Sequence, residues 1–269
     1  MTKGIGNVEY VRQGSEVVVA DQPNWGFLYR VSSVRDEKWN IGDRVVTPDG
    51  RVFRYAKSGA ACWTGRGNQF HNSIPATGID YSLLAEGGIV GATSVKMTNQ
   101  GVVAQTLDGL RGGMIILKPA AGSTDQTLQF RGVLGNTAGG VADVITIYLD
   151  APLTTLLDTA SYGFCMPSPY SDIRYEALTK ASHAGVAAAN VTAAGMYFWI
   201  QTWGLCWITP QAECGTTEYG REVVWRYDGS IQHRGATAIL GLYGQLAGFI
   251  VDNNTADNGA TIINLQVNP

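Results

Sequence analysis

Val95-Lys96-Met97-Thr98, Val102-Val103-Ala104-Gln105-Thr106, Met114-Ile115-Ile116-Leu117, Thr127-Leu128-Gln129-Phe130 and Val144-Ile145-Thr146-Ile147-Tyr148-Leu149 follow one another at short intervals. Asp108-Gly109 and Gly135-Asn136-Thr137-Ala138-Gly139-Gly140 stand between them. β-Branched and large apolar side chains suit a pleated, half-buried surface, and glycine supplies the positive φ of tight turns. Short strands repeated with Gly-rich turns predict an antiparallel sandwich or barrel. Amphipathic segments of about 10–15 residues, the mark of a parallel α/β fold, do not alternate with them. The expected class is therefore all-β with little helix.

The same signals extend outward. Ile41–Val46 and Arg51–Ala56 flank Pro48-Asp49-Gly50, where proline presets φ, aspartate bonds its own backbone and glycine accepts φ > 0. We expect a β-hairpin there. Residues 58–87, rich in Gly, Ala, Asn and Ser, read as a long loop with one helical turn near Tyr81–Ala85. Upstream, residues 1–40 form an N-terminal arm with a strand at Val17-Val18-Val19, a turn at Pro23-Asn24-Trp25-Gly26 and a solvated charge run at Arg35-Asp36-Glu37-Lys38. Downstream, Met166-Pro167-Ser168-Pro169-Tyr170 is the expected linker, because paired prolines keep a chain extended. It divides a β-rich domain at 41–165 from a second at 170–269. The second holds a central strand from Gly195 to Ile208 and a hairpin of Val223–Tyr227 with Ser230–His233 about Asp228-Gly229. Further strands are expected at Ile239–Tyr243, Gly248–Val251 and Thr261–Val267.

Composition narrows the function. The 269 residues include 34 glycines and only 15% charged residues, against about 25% in typical soluble domains. A net charge of −3 argues against coating nucleic acid, which needs concentrated Lys and Arg to displace counterions. The N-terminus lacks an apolar core of signal-peptide length, and no apolar run approaches the roughly 18 residues of a membrane helix. Synthesis in the cytoplasm and no membrane partner are expected. Cys62, Cys165, Cys206 and Cys214 show no Cys-x-x-Cys pair, so a zinc site is not expected; free thiols are favoured, and whether Cys206 pairs with Cys214 stays open.

Signals for catalysis are weak. The chain has three histidines, His71, His183 and His233, and no Gly-x-Ser-x-Gly elbow. Gly65-Arg66-Gly67-Asn68 lacks the Lys-Ser/Thr ending of a phosphate loop, and no cofactor fingerprint is present. Asp108, Asp143, Asp150, Glu213, Glu218 and Glu222 could supply a glycosidase pair, but solvated turns account for them as well. We expect no enzyme.

Two stretches carry the candidate interaction residues. Trp199, Trp203 and Trp207 recur every four residues, a spacing that puts them on one face of a strand together with Tyr197, Gln201 and Leu205. Phe198, Ile200, Thr202, Cys206 and Ile208 fall on the other face, so both faces are apolar and both are covered, by the core or by a neighbouring subunit. A stacking platform for sugars is the alternative. Around Pro48-Asp49-Gly50, alternation places Arg51, Phe53, Tyr55 and Lys57 on one face, with Arg54 beside them. Arginines and aromatics are effective anchors, which suggests docking on an acidic surface.

Three stretches also resemble a known family. Thr47-Pro48-Asp49-Gly50-Arg51-Val52-Phe53-Arg54-Tyr55-Ala56-Lys57-Ser58-Gly59 is similar to a "TPDGRxFxYAKAG" segment of structural proteins from tailed bacteriophages. Gly112-Gly113-Met114-Ile115-Ile116 through Ile147-Tyr148-Leu149-Asp150-Ala151-Pro152-Leu153 is similar to that family's middle section with its "LxxPL" ending. Gly185-Val186-Ala187 and Ala194-Gly195-Met196-Tyr197-Phe198-Trp199-Ile200-Gln201-Thr202-Trp203-Gly204 resemble its "GVA…AGYYGWLQTWG" segment. The chain departs in a longer N-terminal section and a more aromatic C-terminal one. The resemblance, to capsid decoration (cement) or minor head proteins, implies a virion component made in the bacterial host. It would sit on the capsid exterior, bound to the major capsid protein, as a homotrimer at three-fold positions. Other readings are a tail, fibre or other minor virion part and a glycan-binding receptor module.

Overall fold

The computed structural model describes residues 9–13, 16–20, 25–71, 78–101, 103–123, 125–175, 181–210, 221–234, 244–253 and 261–269. Five strands come first: β1 (Glu9–Gln13), β2 (Glu16–Ala20), β3 (Arg44–Val46), β4 (Val52–Lys57) and β5 (Gly67–Phe70). Six follow: β6 (Ile79–Leu83), β7 (Ser94–Thr98), β8 (Met114–Lys118), β9 (Gln129–Asn136), β10 (Val144–Leu149) and β11 (Tyr162–Met166). The last seven are β12 (Ile173–Arg174), β13 (His183–Ala187), β14 (Tyr197–Ile208), β15 (Glu222–Trp225), β16 (Ile231–His233), β17 (Leu246–Asn253) and β18 (Thr261–Gln266). The helical turns among the described residues are 3-10, at Trp25–Tyr29 and Pro169–Ser171. The protein is all-β, with two curled, essentially antiparallel sheets; β2 and β3 run parallel.

Contacts group the chain into two units, one of Met1–His71 with Asp172–Pro269 and one of Asn72–Ser171. This differs from the expected division at 41–165 and 170–269. The hairpin β3–β4 belongs with the C-terminal section because β4 pairs along β14, from Tyr197 opposite Lys57 to Trp203 opposite Val52. The segment at 1–40 joins it too, through buried Leu28 and Trp39.

The 72–171 unit orders its strands β6-β11-β8-β9-β10-β7. The sheet curls until its ends meet: Leu84 bridges Met97, and the Ala85 N–H donates to Lys96 O at 2.8 Å. One face of each strand turns inward, bringing Ile79, Met97, Ile115, Leu117, Val133, Ile145, Ile147 and Cys165 into one buried cluster. Covering each such side chain contributes about 1.5–3 kcal/mol.

In the other unit β14 is the shared strand. It pairs with β4, β13 and β18. β18, β17, β15 and β16 continue from one side, and β13, β5 and β12 branch off. Phe198–Thr202 are buried on both faces, as the double apolar pattern predicts. Beyond a register shift between Gln201 and Trp203 the strand alternates, with Cys206 and Ile208 inward and Leu205 and Trp207 outward. Two glycines allow the close pairing. Gly185 has φ +145°, and a Cβ there would stand 2.2 Å from Gln201 O. Gly204 has φ +87°, and its Cβ would meet Arg51 Cα at 3.0 Å.

Both expected hairpins form. Gly50 takes φ +81° and donates its N–H to Thr47 O at 2.8 Å; Gly229 takes φ +69° between β15 and β16. Residues 58–87 are not a continuous loop but include β5 and β6. β5 is missed in the sequence because Gly-Asn-Gln carries no apolar alternation; Asn68 is buried by bonding Trp63 N–H and the carbonyls of Trp63 and Arg66. Tyr81–Ala85 is not helical, since Tyr81 sits at φ +33° in an irregularity of β6. The strand expected at 102–106 reduces, where described, to one bridge from Gln105 to Gly139, because Asn99 binds Val103 O and Gly140 O and bends the segment. The strand expected at 239–243 and residues 23–24 of the expected turn lie outside the described residues.

Alternation gives a direct test on one strand. Ile147→Ala should cost about 3 kcal/mol by leaving a cavity, and Val144→Ala on the outer face less than about 1 kcal/mol, as read from denaturant midpoints.

Candidate functional site

The aromatic residues singled out from sequence divide between interior and surface. Trp199 faces Tyr55 across the β14–β4 pair, and both, with Phe53, are buried at 3%, 4% and 1% exposure. They pack with Leu28, Trp39 and Val45, and with half-buried Trp25, Phe27 and Tyr197. Ring edges meet ring faces: Trp39 and Trp199 centroids lie 4.8 Å apart at 86°, and Phe27 stands at 5.7 Å and 75° to Trp199. Such pairs contribute about 0.5–1.5 kcal/mol beyond area burial. The Tyr55 hydroxyl accepts the Asp36 N–H at 3.1 Å. Burial pushes its pKa up.

The predicted alternation on β4 therefore holds, but Phe53 and Tyr55 face this cluster rather than solvent. The basic residues stand at its margins. Arg51 Nε pairs with Asp49 Oδ2 at 2.8 Å, and its Nη1 donates to the Tyr29 hydroxyl at 3.3 Å. Burial alone would raise Asp49, but hydrogen bonds from the Thr47 hydroxyl and from Arg51 outweigh it and hold the carboxyl below its usual value. Arg54 points elsewhere: it donates to Gly42 O at 3.2 Å, Asn268 Oδ1 at 3.4 Å and Pro269 O at 3.2 Å. Lys57 Nζ lies 5.7 Å from the Tyr197 ring centre, a cation–π distance.

Trp203 is half-buried, and Trp207 is 46% exposed, its ring lying on the backbone of Gly65. Arg51 lies beside this half of β14, against Gly204. Leu205 is aligned by register with outward Phe249 on β17, across Asn264 of β18, and Trp207 lies opposite Ile262, whose partner on β17 is Asp252; exposed Val251 sits in the register shift next to it. The structure thus leaves Trp207 exposed on an outer surface with half-buried Trp203 on the same strand, sets Arg51 on the opposite, Gly204 side of the β4–β14 pair, and assigns Phe53, Tyr55 and Trp199 to the core.

The 72–171 unit carries a second apolar surface that sequence reading missed. Phe164, Ile116 and Phe130 are neighbours across β11, β8 and β9, and Tyr81 stacks on Tyr162 at 4.2 Å and packs against Phe164 at 5.0 Å. The outward halves of the alternating runs at 114–117 and 127–130 were the available signal: Met114 with Ile116 and Leu128 with Phe130 are apolar.

Three of the acids considered for catalysis are held in local structure. Asp108 accepts the Asn136 N–H, Asp143 the Gly140 N–H, and Glu222 pairs with Arg234 at 2.8 Å. Glu213, Glu218 and Cys214 lie outside the described residues. No group of three or more His, Cys, Asp or Glu placed to hold a metal occurs among the described residues. A shallow depression of about 580 Å³ is lined by Val90, Thr154, Thr155, Asp158 and Ser161 among others. Its Thr155 hydroxyl is already bonded to Gln129, and Ser161 to Asp158. Burial pushes the thiols of Cys62, Cys165 and Cys206 up to about 12, which leaves them protonated and poor nucleophiles. Among the described residues no helix is long and apolar enough to cross a membrane.

Compared with protein-family models, curated proteins and solved structures, the chain matches none.

His183 gives this region a pH signature. It is stacked on Trp225 with centroids 4.9 Å apart. Burial, opposed by the Asp228 charge, lowers its pKa to about 4. The native imidazole is neutral while the unfolded one protonates near 6.5, so its contribution is complete above pH 6.5 and is lost as pH falls toward 4. The loss approaches about 3 kcal/mol. Unfolding midpoints of wild type and His183→Gln should converge across that window.

Proposed function

We propose that this chain is a structural protein of a tailed-phage particle, and specifically a decoration protein that binds the exterior of the assembled capsid shell. The observation that carries the reading is the outward apolar surface of β14 and β17. Leu205 and Trp207 on β14 and Phe249 and Val251 on β17 stand exposed on either side of β18. Clustered exposed apolar side chains fit a protein-binding surface. The three stretches resembling phage head proteins support the same reading, since two of them, at 47–59 and 185–204, build the β4–β14 pair behind this surface.

The mechanism is linkage. A protein that binds the assembled shell and not its separated subunits stabilises assembly by RT ln(1 + [L]/Kd). The major capsid protein is the partner, the capsid exterior the location, and no cofactor or bond-making step is involved.

Mass spectrometry of purified particles tests this. A copy number in fixed, high ratio to the major shell protein is expected. A few copies per particle would make the chain a tail or fibre component, and absence from particles would overturn the reading. The double variant Trp207→Ala/Phe249→Ala should weaken shell binding at least tenfold, about 1.4 kcal/mol, with the unfolding midpoint of the free protein within about 1 kcal/mol of wild type. Glycan binding lost in that variant, without any shell binding, would favour a receptor module instead. Arg54 is unsuited to such a test, because reversing its charge breaks its bonds to Gly42 and Asn268.

A further inference from the structure

The 72–171 unit exposes more apolar surface than its own fold explains. Its core is filled from the inner face of each strand, yet the outer face of β11, β8 and β9 is apolar as well. Phe130 is 58% exposed, Tyr81 46% and Met114 45%. Ile116, Tyr162 and Phe164 lie half-buried between them. Register makes this one surface rather than scattered residues: Phe164 opposes Ile116, Ile116 opposes Phe130, and Met166 opposes Met114.

We infer that this outer face of β11, β8 and β9 is the surface on which a second copy of the chain docks. The inference deepens the reading of the chain as an assembling protein and rests on it. Three observations select a copy of the chain as the occupant. The first is area. With about a third to a half of each aromatic's 150–250 Å² still open, and with exposed Met114 beside them, the face presents on the order of 500 Å². A standard specific interface takes about 800 Å² from each partner, and adjoining Leu128 and Leu134, both exposed, lie on or beside β9. The second is charge. Arg131, between Phe130 and Gly132, is turned away to Pro152 O at 2.9 Å and Gln129 Oε1 at 3.1 Å. Lys118 and Asp150, of opposite sign, stand at the margins. An uncharged surface meets no repulsion from its own image, and an isologous contact requires such self-complementarity. The third is the sheet's closure. Because the Leu84–Met97 bridge and the Ala85–Lys96 bond join its two ends, strand addition at those ends is blocked. Association therefore proceeds face to face, at the roughly 10 Å spacing of packed sheets.

Sedimentation equilibrium of the full chain, free of particles, decides the matter. Wild type should sediment as a multiple of 28.8 kDa at micromolar concentration. Phe130→Asp should raise the dissociation constant at least tenfold, while Leu205→Asp, on the other unit, should leave it unchanged. Should Phe130→Asp disturb folding, a benzophenone amino acid at position 130 offers a second measurement, and should yield chain-to-chain crosslinks. A wild-type chain that stays monomeric, an oligomer indifferent to Phe130→Asp in a folded variant, or an oligomer without crosslinks from position 130 would each overturn the inference. Copy number on particles is measured separately. Failure here with abundant copies on the shell removes the self-contact alone, and failure of both removes the assembling role.

Discussion

Strand β14 must satisfy three partners along twelve residues, and the 1–71/172–269 unit depends on its doing so. β4 lies along its first half, β18 along its second, and β13 meets it at Ile200 and Gln201. The last contact requires backbone to pass close to backbone, which Gly185 permits and a side chain there would prevent. Without it β13 and β5 lose their anchor, and Val186 leaves the cluster formed with Ile208, Trp225 and Leu265. Large aromatics gather where the strand is covered on both sides, because there they are removed from water most completely.

The fold class was legible because alternation and turn chemistry act locally. Pro48-Asp49-Gly50 and Asp228-Gly229 each determine a hairpin with no help from distant residues, and Val144–Leu149 carries its period within six positions. Elements that depend on distant partners were not legible. β5 is a strand because β12 and β13 flank it and Asn68 satisfies a turn, none of which its four residues announce. The unit boundaries were hidden for the same reason: the partner of β4 is 140 residues away in β14.

The candidate site was legible in part. Periodicity correctly put Phe53 and Tyr55 on one face of β4, yet a face has no sign until something covers it. Here Leu28 and Trp39, from the N-terminal arm, cover it. Trp199 and Trp207 differ through the register shift that separates them, after which β14 has only one covered side. The outer face around Phe130 and Ile116 went unread because an apolar residue on either side of a strand looks alike in one dimension.

The chain changes unit at two places. At 71/72 and 171/172 it leaves one sheet and returns to it, and at that point His71 and Asp172 are joined by a backbone hydrogen bond of 3.1 Å and a side-chain approach of 3.6 Å. The central hundred residues are thus an insert whose ends are pinned together by the host. During synthesis the insert emerges whole, with every strand of its core present, while β4 still awaits β14 and β5 still awaits β12 and β13. It can fold first on the ribosome. The host then closes around β14 only after a loop of about 140 residues has been drawn in, at an entropic cost that a folded insert reduces by shortening the flexible part of that loop.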